Sequence, residues 1–190
     1  MKINDLKQYL NTRSKEQLIA EIGDIFSKID SVKDYYQGKL NLGYSAEVGE
    51  KYKSIIKHEF FPVRGFGRAQ LSVARNAVSD YRKVSASKFG VADVMLYYVE
   101  MGVQFTNAYG DIDEAFYNSM ESMYERAVKY IVQHGLQGQF AERCCKIVTD
   151  TSEIGWGFHD GLSCTYEEQF REGSSSSESE TEQLIRAERG

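Results

Sequence analysis

Proline is almost missing from this sequence: Pro62 stands alone among 190 residues. Because proline removes a backbone donor and interrupts helices, its scarcity leaves few enforced breaks and suits a chain of long helices. No apolar run reaches the length that crosses a bilayer, and the opening MKINDLKQYL lacks the apolar segment of a secretory leader. The expectation is a cytoplasmic protein with no membrane partner. Cysteine is scarce too. Cys144, Cys145 and Cys164 are odd in number and show no CxxC spacing, which argues against a disulfide scaffold and a zinc ribbon. They read as reduced packing residues inside helices, with a vicinal redox or metal role for Cys144-Cys145 as the alternative.

The usual catalytic signatures are also lacking. His58-Glu59 has no second histidine to complete HExxH, no Glu-x-x-His pair exists for a di-iron bundle, and no serine sits in a GxSxG elbow. Asp111, Asp113 and Glu114 lack the glycine and glutamate of a calcium loop. His159-Asp160 resembles the centre of a metal-dependent phosphohydrolase, but that arrangement needs a later aspartate and none follows Asp160. No metal or cofactor is therefore expected.

What the chain has in abundance is rings, 13 Tyr and 10 Phe within a 42% hydrophobic composition. They suggest one sizeable core of large aromatics whose hydroxyls reach the surface or a polar partner. The organising stretch runs from Val91 to Ile131. Its first half, to Phe105, is apolar on nearly every side, the pattern of a helix enclosed by others. In its second half Phe116, Met120, Met123, Ala127 and Ile131 follow one helical stripe. Between the halves, Gly110 can stop the first helix, and Asp111 with Glu114 reads as the capping box of the next.

Around this hairpin the same rules place further helices. Lys2 to Leu10 is a short one. Ser14 and Gln17 form a capping box ahead of Leu18, Ile19, Ile22, Ile25, Phe26 and Ile29, a stripe spaced as a buried helix face. Ser31 is placed as the cap of a short helix, followed by a turn over Gly38 to Gly43. A helix from Ser45 buries Val48, Tyr52, Ile55, Ile56 and Phe60 and stops before Phe61-Pro62. Helices from Arg68 to Val84, from Gln137 to Thr149 and from Ile154 to Phe170 follow. Gly157 and Gly161 in the last are expected to let another helix backbone, the one beginning at Val91, approach closely. After Phe170 the composition turns to GSSSSESE, read as a disordered serine-acidic tail over residues 172–190 behind a single domain over 1–171.

Charge is uneven. Residues 51–88 hold nine Lys/Arg against two Asp/Glu, whereas residues 89–190 hold seven against eighteen. Two readings follow: the two parts dock on each other with their charges at the seam or in solvent, or segment 51–88 binds nucleic acid, phosphate or an acidic partner. Within it, Val63-Arg64-Gly65-Phe66-Gly67-Arg68 is either an anion-binding loop or a turn in which glycine permits a sharp bend. Arg68, Arg75 and Arg82 recur every seventh residue, a column along the border of the apolar stripe. The candidate ligand-binding residues are Arg64, Arg68, Arg75 and Arg82. Asn107, Asp111, Asp113, His159 and Asp160 form a second candidate set, lining a pocket if the hairpin turn meets the last helix. The plainer reading of these carboxylates is that they cap helices.

The stretches LYYVEMGVQFTNAYGDIDEAFYNSM and GWGFHD, with the opening LKQYLNTRSKEQLIAEI, resemble an uncharacterised bacterial family catalogued as a domain of unknown function. The resemblance covers about Met1 to Phe170 and implies a stand-alone bacterial or mobile-element protein without an assigned activity. The sequence as a whole predicts an all-α fold, an irregular bundle or short superhelical stack of about eight helices. Its leading functional expectation is a non-enzymatic interaction protein that binds a protein or an acidic ligand. The alternatives are a small-ligand-binding or metal-dependent enzyme centred on the Gly-Arg loop and His159-Asp160, and nucleic-acid binding through residues 51–88.

Overall fold

The computed structural model describes residues 2–40 and 44–170. It is all-α, with no strand among the described residues. The helices are α1 (Ile3–Asn11), α2 (Lys15–Lys28), α3 (Asp30–Leu40), α4 (Tyr44–Phe60), α5 (Leu71–Val84), α6 (Lys88–Tyr109), α7 (Glu114–Gln133) and α8 (Gln137–Thr149). A ninth, α9, spans residues 158–170. The serine-acidic tail expected over 172–190 and the end of the expected turn at Gly43 lie outside the described residues.

Helix α6 is the axis of the bundle. Ser87 starts it by accepting a hydrogen bond from Gly90 N at 3.0 Å, and Gly110 ends it in the left-handed region at φ 86°. Twelve of its 22 residues are buried, spread around the helix, because α4, α5, α7 and α8 all pack against it. Gly102 makes the α6–α7 approach close, since a methyl there would run into the sulfur of Met120. Phe60 of α4 is fully buried and meets three rings at 5.8–6.4 Å, Tyr98 and Phe105 of α6 and Phe116 of α7. The buried hydroxyls find partners as expected: Tyr98 pairs with Ser119 at 2.8 Å, Tyr117 with Thr106 at 2.9 Å, and Tyr124 donates to Cys144 O at 3.0 Å.

Several local expectations are corrected. The cap of α7 is Asp113, whose carboxylate accepts from Phe116 N at 2.8 Å, and not Asp111, which accepts from the Tyr117 hydroxyl at 3.1 Å. Helix α3 starts at Asp30, directly after the extended residue Ile29, so Ser31 and Gly38 lie inside it. Helix α5 starts only at Leu71. Ala69 has φ 44° and donates to Glu59 O at 2.9 Å, which takes Arg68 out of the helix and breaks the expected three-arginine column. The last helix starts at residue 158, because Trp156 and Gly157 both have positive φ. Gly161 faces the Glu121 side chain of α7 and not the backbone of α6. Of the cysteines only Cys144 is a packing residue; Cys145 and Cys164 are exposed, and all three are free.

The expectation for α2 meets its largest correction in packing. The Ser14–Gln17 capping box forms as read, yet α2 contains no buried residue, and neither does α1. Together they make an arm reaching the bundle through α3. Tyr9 and Arg13 tie α1 to Glu21 of α2, and the Phe26 ring meets Tyr36 of α3 at 6.3 Å. Helix α3 is anchored in turn by Asp34, buried and accepting from Lys51 Nζ at 2.8 Å and the Tyr52 hydroxyl at 3.2 Å.

Candidate functional site

The arm presents the most distinctive surface among the described residues. On α2, Ile19, Ile22 and Ile25 fall within one arc of about 120° at 100° per residue, and each is 40% exposed or more, as is Ile29 just beyond the end of the helix. Ile3 of α1 is 64% exposed. Open apolar side chains gathered on one helix face make a candidate interaction surface. The residues between these isoleucines are charged in balance: Lys7, Arg13, Lys15 and Lys28 against Asp5, Glu16, Glu21 and Asp24. Sequence periodicity identified this face correctly but assigned it to the core.

The pocket expected from Asn107, Asp111, Asp113, His159 and Asp160 is made of residues engaged in holding helix ends. Asn107 donates to Asp150 O at 3.0 Å, at the end of α8. His159 Nδ1 lies 3.1 Å from Val148 O and 3.0 Å from the Thr151 hydroxyl. Since a carbonyl only accepts, Nδ1 carries the hydrogen, and Nε2 is left to accept from Ser163 at 3.5 Å. The imidazole thus closes the C-terminal turn of α8. Asp160 is exposed. The turn and the last helix do come together, through the Tyr117 and Phe158 rings 5.1 Å apart, but that junction is aromatic. No group of three or more His, Cys, Asp or Glu able to hold a metal ion is found among the described residues.

The arginines divide among three places. Arg64 and Arg68 line a cleft of about 350 Å³ with His58, Glu59 and Phe66. The loop that carries them is shaped by close packing: a methyl on Gly67 would strike the Phe60 carbonyl, and Gly65 has φ 79°. Arg75 lines a separate cleft of about 400 Å³ with Arg126 of α7. Arg82 lies over the Tyr130 ring, 5.7 Å from its centre. Of the basic segment's lysines, Lys51 is held by Asp34, Lys53 by Glu50 and Asp93, and Lys83 by Asp80.

Sequence reading missed two polar arrangements. Arg143 of α8 grips Glu100 of α6 with two bonds, at 2.6 and 2.8 Å, and also reaches Asp93, which Lys53 of α4 binds from the other side at 2.6 Å. Burial works against the Arg143 charge, but the hydrogen bonds and fields of Glu100 and then Asp93 outweigh it, so its pKa is raised. These residues are 43 and 50 positions apart, and no local pattern links them. The second is a tyrosine-rich cleft of about 510 Å³ lined by Tyr35, Tyr36, Tyr52, Asp80 and Lys83. There burial, followed by the field of Asp34, pushes the Tyr52 phenol up to about 12.

No helix among the described residues is long and apolar enough to cross a membrane. Neither the curated proteins nor the solved structures contain a match to this chain. The family of unknown function DUF6155 matches residues 1–170, which hold all of the described helices, and the chain belongs to that family.

Proposed function

We propose that this is a non-enzymatic helical interaction protein whose N-terminal arm, α1 and α2, docks on another protein chain, a second copy of itself. The observation that carries this reading is the isoleucine face of α2, patterned like a buried helix and left open by the rest of the fold. Fully burying an isoleucine side chain is worth about 1.5–3 kcal/mol, and Ile19, Ile22 and Ile25 keep 40–61% of their surface open, so covering them together still favours a partner. The balanced charge of the arm favours a second copy, since two such arms meet without net repulsion, while a nucleic acid or a strongly acidic partner would find no complementary field. Helix α2 is about 21 Å long at 1.5 Å per residue. Free cysteines fit a reducing compartment, and with the resemblance to a bacterial family we assign the bacterial cytoplasm.

Sedimentation equilibrium of the full chain tests the reading. A dimer at micromolar concentration is expected, and Ile22→Glu with Ile25→Glu should convert it to a monomer of unchanged far-ultraviolet circular dichroism. A wild-type chain that stays monomeric at hundreds of micromolar would sink it.

A further inference from the structure

We propose that the cleft between α5 and α7 binds a small phosphate monoester, gripping the phosphoryl group between the guanidiniums of Arg75 and Arg126. The cleft holds about 400 Å³. Its polar lining consists of Arg75, Asn118, Ser119, Ser122 and Arg126 with no carboxylate among them, in a chain of net charge −5.

The contrast with the other helical cations is direct. Lys28 pairs with Asp24, Lys83 with Asp80, Lys129 with Glu125 and Lys146 with Asp150, each one turn away. Of the acids of α5 and α7, Asp80 and Glu125 are thus engaged, and Glu114 and Glu121 are not among the residues lining the cleft. Arg75 and Arg126 have no carboxylate within ion-pair distance among the described residues. Two guanidiniums facing one cleft repel each other unless an anion lies between them, and guanidinium recognises phosphate oxygens by paired hydrogen bonds.

The remaining lining fits the same ligand. Ser119 is buried, with its hydroxyl fixed by the Tyr98 hydroxyl at 2.8 Å, and Arg75 is near enough for its positive field to act on that phenol. Ser122 and the Asn118 amide add donors that a phosphoryl group accepts from. The volume is larger than one phosphate group needs, and the Met123 thioether in the wall offers an apolar surface to the organic part of an ester. At about 400 Å³ the cleft is sized for a small molecule rather than a polymer.

Isothermal titration calorimetry of the full chain against glycerol 3-phosphate and inorganic phosphate tests the site. Saturable one-site binding of glycerol 3-phosphate is expected, with inorganic phosphate weaker. Arg75→Gln and Arg126→Gln should each weaken binding by about tenfold or more, the loss expected for a hydrogen bond to a charged group. Arg82→Gln, two turns along α5 and stacked on Tyr130, should leave it unchanged. The Ile22→Glu, Ile25→Glu chain should bind as the wild type does, so the site stands or falls separately from the arm. The inference is overturned by the absence of saturable binding, by equal affinity for the two probes, or by binding that survives loss of both Arg75 and Arg126.

Discussion

Helices α2 and α7 begin alike and end differently. Each starts at a side chain that accepts from the backbone three residues on, Ser14 from Gln17 and Asp113 from Phe116, and each carries an apolar stripe at helical spacing. Nine residues of α7 are buried and none of α2. Periodicity therefore states which face of a helix avoids water without stating what covers it. For α7 the cover is α6, its neighbour through a four-residue turn. For α2 the single chain supplies only part of one.

The comparison breaks or sharpens under substitution. Phe60→Ala removes a ring enclosed by Tyr98, Phe105 and Phe116 and should cost about 3–5 kcal/mol in urea unfolding. The equivalent truncation on the arm, Ile25→Ala, should cost about 1 kcal/mol or less in dilute monomer, because the side chain is 41% exposed to begin with. Equal losses would mean that the arm is as well packed as the core. Arg143→Met should fall between them, at about 1–3 kcal/mol, since it leaves Glu100 without its fork and takes one of the two cations from Asp93 at a site still about a fifth exposed.

The smallest expected effect concerns pH. Burial raises the pKa of Glu121, which lies against Gly161 of α9. The folded chain then holds this proton more readily than the unfolded chain does. Its contribution to stability falls as pH rises from the usual carboxylate range through the raised value, and is flat above it. Glu121→Gln should remove that slope and unfold at a slightly higher temperature at neutral pH; a variant with the same pH profile as the wild type would show that the carboxylate is solvated.

Much of the fold was legible because it is local. The bounds of α8, the stop at Gly110, the Ser14 capping box and the end of α4 before Phe61-Pro62 each depend on residues within a turn or two of one another. Errors arose where two local signals competed. Asp111 was read as the cap of α7, but Asp113, two residues on, takes that place, and Asp111 accepts from the Tyr117 hydroxyl instead. The arginine column failed at Arg68 because the Ala69–Glu59 bond delays α5. His159 allowed a chemical or a hydrogen-bonding reading in sequence, and its Nδ1 lies 3.1 Å from Val148 O at the end of a helix eleven residues earlier.

By itself the sequence determined that the chain is helical, where most helices begin and end, and which side of each is apolar, since these follow from dihedral preference, capping and a period of 3.6 residues. The tertiary structure alone decided that α6 lies at the centre while α2 stands open. It also decided that Arg143 clamps Glu100 and Asp93, and that Arg75 and Arg126 line one cleft without carboxylates. Those outcomes depend on which helices meet, and residues tens of positions apart carry no periodic trace of one another until packing brings them together.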